Sequence, residues 1–229
     1  MSIRSVSAGA AALVCLATAS AVAQGGGNQG HASDLGVAVR AGTLGIGGEV
    51  SKLLASHLGL RVGINYFTVT DNGQSLGDNK FDLKAELRAF SALLDLYPGP
   101  RGSFHITGGV MTKPVKISGP GVGNTTYSFN SNHYTSAQTG AVTIAAEYGS
   151  VLPYVGIGFG TAASKQGGLS FVFDLGLAIG KPVFTLTAAS AIAGSALAND
   201  LKAEEVKRQD DVSKVPGYPV LAIGFMYRF

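Results

Sequence analysis

The 229-residue chain is short of charge: 14% of its residues are Asp, Glu, Lys or Arg, where a soluble domain carries about 25%. Cysteine is nearly missing. Cys15 is the single one and lies in the N-terminal apolar run, so the chain beyond it can form neither a disulfide nor a thiolate site. A concentration of basic residues is missing too. The formal charge is +3, Arg4 supplies one unit of it, and no segment gathers the rest, which removes the electrostatic footprint of a nucleic-acid binder. His, Asp and Glu nowhere fall at metal-ligand spacing, so neither a metal nor a cofactor is expected. Beyond residue 23 no apolar run suits a membrane helix. The best stretch, Pro182 to Asn199, lacks charge before its end but is built mainly from Thr, Ser, Gly and Ala and starts with proline. Glycine is plentiful at 33 residues, yet without the three-residue period of collagen.

What is present begins with an export signal. MSIRSVSAGAAALVCLATASAVAQ has one basic residue, Arg4, then a short alanine-rich apolar run, and finishes on Ala21-Val22-Ala23, an A-x-A cleavage pattern. Residues 1–23 read as a cleaved signal peptide and QGGGNQGHASD, residues 24–34, as a flexible Gly-rich leader. From Leu35 to Phe229, segments of roughly ten residues are separated by Gly, Pro, Asn and Asp clusters. They predict ten strands, at 35–42, 44–54, 58–69, 81–97, 102–114, 140–148, 153–162, 168–180, 182–190 and 218–229. ANDLKAEEVKRQDDVSK, before the last strand, predicts a short solvated helix with Asn199 or Asp200 as its N-cap.

The segments alternate with a period of two. In GGLSFVFDLGLAIG, Leu169, Phe171, Phe173, Leu175, Leu177 and Ile179 oppose Ser170, Val172, Asp174, Gly176 and Ala178. In LGLRVGINY, Leu60, Val62, Ile64 and Tyr66 oppose Gly59, Arg61, Gly63 and Asn65. In FDLKAELRAFS, Leu83, Ala85, Leu87 and Ala89 oppose Asp82, Lys84, Glu86 and Arg88, and the phase changes near Leu93–Leu94 as if at a bulge or strand end. The chain stops on YPVLAIGFMYRF, with Leu221, Ile223, Phe225, Tyr227 and Phe229 on one face.

A soluble sandwich and a transmembrane barrel both alternate, but they differ in the face that receives charge. Here the bulky face is apolar and the opposite face is small, with charges set between Gly and Ala. That arrangement leaves room for opposite charges to pair in a narrow lumen, as buried charges must. The predicted lumen network is Arg40, Glu49, Arg61, Asp82, Lys84, Glu86, Arg88, Glu147, Asp174 and Arg228, five basic and five acidic residues. Lys52, near a strand end on the outer face, can snorkel. The expected fold is all-β: a closed antiparallel transmembrane barrel of about ten strands, with eight as the alternative if AGTLG is a kink within one strand.

The alternating strands, the cysteine-free body and the C-terminal strand closing on Phe229 resemble small Gram-negative outer-membrane β-barrel proteins. GTLGIGGEVSKLLASHLGLRVGINYF is similar to a hairpin of that class, turning at Ala55–His57, and LPYVGIGFG to one of its strands. The resemblance implies that Phe225, Tyr227 and Phe229 are the signal read by the barrel-assembly machinery, and that the chain resides in the outer membrane in contact with its lipid.

Some proteins of this class act on lipids, so nucleophile and base candidates matter. His31 lies in the leader, His57 in a turn, and His105 on the lumen side of FHITGGV. His133 has Ser131 and Ser136 close by in SNHYTSAQ, but spacing does not establish a Ser–His pair. GIGFG at residues 156–160 lacks the following helix and third-glycine spacing of a nucleotide loop and reads as lumen-facing glycine. No catalytic residue is expected. The reading is a non-enzymatic structural or surface-interacting protein with a charge-plugged lumen. A narrow channel for small solutes and a lipid-modifying hydrolase stand as alternatives.

Overall fold

The computed structural model describes residues 35–76, 79–99, 103–122, 126–160, 168–192, 194–214 and 216–229. The expected signal peptide, the leader and His31 lie outside the described residues. In chain order the elements are β1 (Leu35–Gly42), β2 (Gly45–Ala55), β3 (Leu58–Leu76), β4 (Asn79–Leu96), β5 (Phe104–Thr112), β6 (Lys116–Pro120), β7 (Thr126–Phe129), β8 (Asn132–Thr135), α1 (Ser136–Thr139), β9 (Val142–Glu147), β10 (Val151–Phe159), β11 (Gly168–Ile179), β12 (Val183–Ala188), α2 (Ala196–Ser213) and β13 (Gly217–Arg228).

Eight strands close a ring in the order β1-β2-β3-β4-β5-β10-β11-β13, every neighbour antiparallel. β13 seals it, pairing with β1 from Gly36↔Arg228 to Gly42↔Ala222 and with β11 from Gly168↔Arg228 to Ile179↔Gly217. The ring thus has the smaller of the two expected strand counts. Its doubtful hairpin is real, because β1 turns into β2 through Thr43–Leu44 with Gly45 at φ 90°. The count falls elsewhere. β9 and β10 are one downward run interrupted at Tyr148–Ser150, and β11 and β12 one upward run interrupted at Gly180–Pro182. In each, one half joins the ring and the other passes beyond it.

The halves beyond the ring build a second unit, the cap. The outer parts of the 19-residue β3 and 18-residue β4 continue into a sheet in the order β3-β4-β6-β9-β12. The β7–β8 hairpin lies on this sheet and turns at Asn130 and Ser131, both in the left-handed region (φ 48° and 68°), as a tight two-residue hairpin requires. Phe81, Phe129, Val142, Ile144 and Leu186 form the cap core with Leu197 and Leu201 of α2.

Helix α2 starts at Ala196, with Ser195 rather than Asn199 or Asp200 as N-cap; the Ser195 hydroxyl accepts the Ala198 N–H at 3.2 Å. It is not simply a solvated helix. Besides burying Leu197 and Leu201, it covers the sheet edge: Gln209 accepts the Phe184 N–H (2.8 Å) and donates to the Pro182 carbonyl (3.0 Å). Glu205 accepts the Leu186 N–H at 3.5 Å. An edge strand with unmet N–H groups invites foreign strands, and these side chains close it.

Around the ring the outward side chains are large, apolar and exposed: Leu169 is 71% exposed, Val39 65%, Phe90 60% and Phe225 58%. Leu221 to Phe229 spans about 26 Å along the strand. At a tilt of about 40° that gives a band about 20 Å tall, close to the apolar band of membrane barrels. A girdle of this kind is too large for a water-exposed surface and is suited to hydrocarbon.

No bulge interrupts β4 at Leu93–Leu94, which pair in unbroken register with Arg61 and Leu60 on β3. The change of phase has another cause. Odd positions face inward along the whole strand, but from Phe81 to Leu87 they are apolar and the outward ones charged, whereas from Phe90 downward the outward ones are apolar. The strand's upper half is suited to water outside and its lower half to hydrocarbon.

Candidate functional site: the charged lumen

Six of the eight ring strands send a polar side chain to one level of the lumen: Arg40 from β1, Glu49 from β2, Arg61 from β3, Asp95 from β4, His105 and Thr107 from β5, and Asp174 from β11. All are at least nine-tenths buried. The other two strands contribute glycine there. A Cβ on Gly158 of β10 would stand 2.6 Å from Asp174 Oδ1 and closer still to His105 Nε2, and one on Gly224 of β13 would stand 3.0 Å from Arg40 Cγ. Gly158 of GIGFG therefore serves as space for the charges, while Gly156 makes room for Tyr154 and Gly160 for Val172.

Arg61 is the hub. Its Nε lies 2.6 Å from Asp95 Oδ2, and its Nη2 donates to Asp95 Oδ1 (2.9 Å), Asp174 Oδ1 (3.0 Å) and Thr107 Oγ1 (3.2 Å). Nη1 reaches Asp174 Oδ2 at 3.1 Å and Glu49 Oε2 at 3.5 Å. Arg40 bridges Glu49 (2.9 Å) and also pairs with Asp174. His105 Nε2 lies 3.2 Å from Asp174 Oδ1, and Thr107 donates to Asp95 at 2.8 Å. This is the planar, many-donor pairing for which Arg is suited and which buried carboxylates require.

Above this layer an apolar cluster including Leu44, Leu93, Met111, Tyr148 and Leu152 lines the lumen, and below it Ala38, Val172 and Met226 do so; Leu44, Leu93 and Met111 border a cavity above and Met226 one below. Among the described residues, small cavities of about 30 and 20 Å³ flank Arg61, one on each side. Each has room for about one water.

The predicted network divides. Arg40, Glu49, Arg61 and Asp174 come together, and Arg228 is buried lower down, beside the lower cavity. Asp82, Lys84, Glu86, Arg88 and Glu147 do not join them; they sit on the outer face of the cap sheet. Asp82 accepts the Gly73 N–H (2.8 Å), and Glu86 lies 2.9 Å from Lys84 and 3.6 Å from Arg88. The Arg88 guanidinium stands 5.3 Å above the Tyr66 ring, and Glu147 faces Lys113 (3.3 Å) and Lys116 (3.9 Å). The polar-inside rule of a membrane barrel fails there because the strands have left the apolar band. The sequence reading missed Asp95, although it shares parity with Ala89, Ser91 and Leu93.

Phe225, Tyr227 and Phe229 are all exposed on the outer face, Phe225 edge-on to Phe171 and Tyr227 edge-on to Phe229. His133 is exposed on β8, opposite Ser128, and lines neither cavity. In the cap, Asn130 (3.1 Å), Asn132 (2.7 Å) and Tyr134 donate to the Asp200 carboxylate. These bonds, Tyr134's foremost, hold Asp200 below the usual carboxylate range, and the same bond pushes the Tyr134 phenol up.

No protein-family model and no curated protein sequence matches the chain. Among solved structures, CarO2 of Acinetobacter baumannii aligns with TM-score 0.54 and 18% identity over 88% of this chain and all of that one. CarO of the same organism aligns with TM-score 0.52 and 18% identity, covering 85% of this chain and 97% of that one. The chain has the fold of an outer-membrane β-barrel protein. At 18% identity the likeness is one of fold. A major outer membrane protein of Thermus thermophilus also aligns, at TM-score 0.45 and 19% identity over 85% of this chain and 99% of that one.

Proposed function

We propose that the chain is an integral outer-membrane protein, non-enzymatic, whose lumen is closed by paired charges and whose cap meets partners at the cell surface. The observation that carries this reading is the inversion along β4, with Lys84, Glu86 and Arg88 outward in one half and Phe90, Leu94 and Leu96 outward in the other. A strand that changes polarity without changing register is suited to a chain that stands in lipid at one end and water at the other. Lipid surrounds the lower band, and the barrel-assembly machinery reads Phe225, Tyr227 and Phe229.

The test is trypsin treatment of intact cells beside membrane fractionation and heat-modifiable gel migration. Lys202, Lys207 and Arg208 place cleavage sites on α2, and Lys214 one at its C-cap. Cleavage there, leaving an embedded heat-modifiable barrel, is the expected result. Protection of α2 in intact cells with cleavage only after lysis would refute a surface cap. Deletion of Phe229 should prevent accumulation in the outer membrane, whereas Arg228→Ala should insert and unfold more readily.

A further inference from the structure

We propose that Arg61 is the gate of a small-cation path through the barrel, a role beyond that of a closed structural lumen. The two lumen cavities share one lining residue. Arg40, Glu49, Asn65, Tyr154 and Asp174 help to line the upper cavity, and Ser51, Asp95, Tyr97, Met226 and Arg228 the lower; Arg61 lines both. Its guanidinium spans the gap, bound to Asp95 (2.6 Å), which lines the lower cavity, and to Asp174 (3.0 Å), which lines the upper. Its inward neighbours along β3 are Gly59 and Gly63, so no bulk on that strand backs it up.

The sign of the path follows from what remains once the guanidinium is removed. Glu49, Asp95 and Asp174 then face the opening at the level of Arg61, against Arg40; Arg228 and Lys52 border only the lower cavity, and Lys52 is on the outward parity of β2. Carboxylates lining a constriction favour cations. Cavities with room for about one water restrict passage to monovalent ions with little hydration. With Arg61 in place, a fixed cation blocks the same spot by volume and by charge.

The experiment compares the parent with Arg61→Ser in planar bilayers under a potassium chloride gradient, each shown to be folded by heat-modifiable migration. The parent should stay closed. The variant should show steady openings, a rise in potassium flux of at least about tenfold, and a reversal potential on the cation side. A folded variant as tight as the parent, or one that prefers chloride, overturns the gate. A parent that conducts steadily overturns both the gate and the closed-lumen reading.

Because Arg61→Ser leaves buried carboxylates short of a partner and can stop folding, a second pair of variants keeps the arginine. Asn65→Cys and Ser51→Cys place a thiol in the upper and lower cavity of a chain with no cysteine after Cys15. In vesicles of uniform orientation, a small charged thiol reagent should modify Asn65→Cys from the cap side alone and Ser51→Cys from the opposite side alone. Modification of either from both sides, or of either from neither, overturns the proposal.

Discussion

Between Phe81 and Leu87, β4 points Phe81 and Leu83 inward and Lys84 and Glu86 outward; between Ala89 and Leu96 it points Ser91 and Asp95 inward and Phe90, Leu94 and Leu96 outward. The ladder to β3 runs without a break from Leu83 to Leu96. The cap half has the chemistry of a soluble sheet and the barrel half the reverse. Strand geometry sets which residues share a face, and the surrounding solvent sets which face is apolar. The energetics follow. The cap is held by an apolar core, while the barrel adds a layer of ion pairs whose members are costly to separate.

The largest effect should come from breaking that layer. Asp174→Ala leaves Arg40 and Arg61 buried with one carboxylate fewer and should destabilise the barrel by about 3–5 kcal/mol, measured by denaturant unfolding in detergent micelles. A cost under about 1 kcal/mol would mean the network is not what orders the lumen. The outer faces give the next comparison. Leu94→Arg, in the apolar band, should cost about 2–4 kcal/mol in lipid vesicles, and Thr70→Arg, in the cap, less than about 0.5 kcal/mol. Equal costs would remove the distinction between the two halves.

Much of this was legible in the sequence. The positions of ten strands were, because Gly, Pro and Asn punctuate them, whereas β6, β7 and β8 fell in a Gly-, Ser- and Asn-rich stretch that reads as turn and loop. Arg40, Glu49, Arg61 and Asp174 were legible too, each alternating with small residues on strands whose other face is bulky. The ring count was less so, since Gly149–Ser150 looks like a hairpin turn although the chain does not reverse there. Asp82 to Arg88 were placed inside by extending one polarity rule past the apolar band, and Asp95 was lost at the resulting change of phase. Asn199 and Asp200 are good capping residues in isolation. The fold instead uses Asp200 to clip the hairpin to the helix, a long-range pairing with Asn130, Asn132 and Tyr134 that local pattern does not reveal.

Smaller effects sharpen the comparison within the cap. Gln209→Ala removes the bonds to Phe184 of β12 and to Pro182 just before it and should cost about 1 kcal/mol, with hydrogen exchange rising at Phe184 and the barrel unchanged. The Asp200 clip should depend on pH. Its folded pKa is depressed, so its contribution is complete above the ordinary carboxylate value of about 3.9 and is lost as pH falls through the lower folded value. The raised Tyr134 phenol works the other way: its contribution holds below about 10 and is lost as pH climbs through the folded value. Pepsin cleavage of α2 should therefore increase toward the acid end, and Asp200→Asn should flatten that dependence. An unchanged pH profile in the variant would assign the acid sensitivity elsewhere.

The most direct test of the water-to-lipid crossing is a single-cysteine spin-label scan of the outward positions of β4, in a chain with no cysteine after Cys15. In lipid vesicles, labels at Asp82, Lys84, Glu86 and Arg88 should collide with a water-soluble nickel complex and little with oxygen. Labels at Phe90, Ala92, Leu94 and Leu96 should show the opposite, with the switch falling between Arg88 and Phe90. Nickel access that stays uniform from Asp82 to Leu96 would contradict the account.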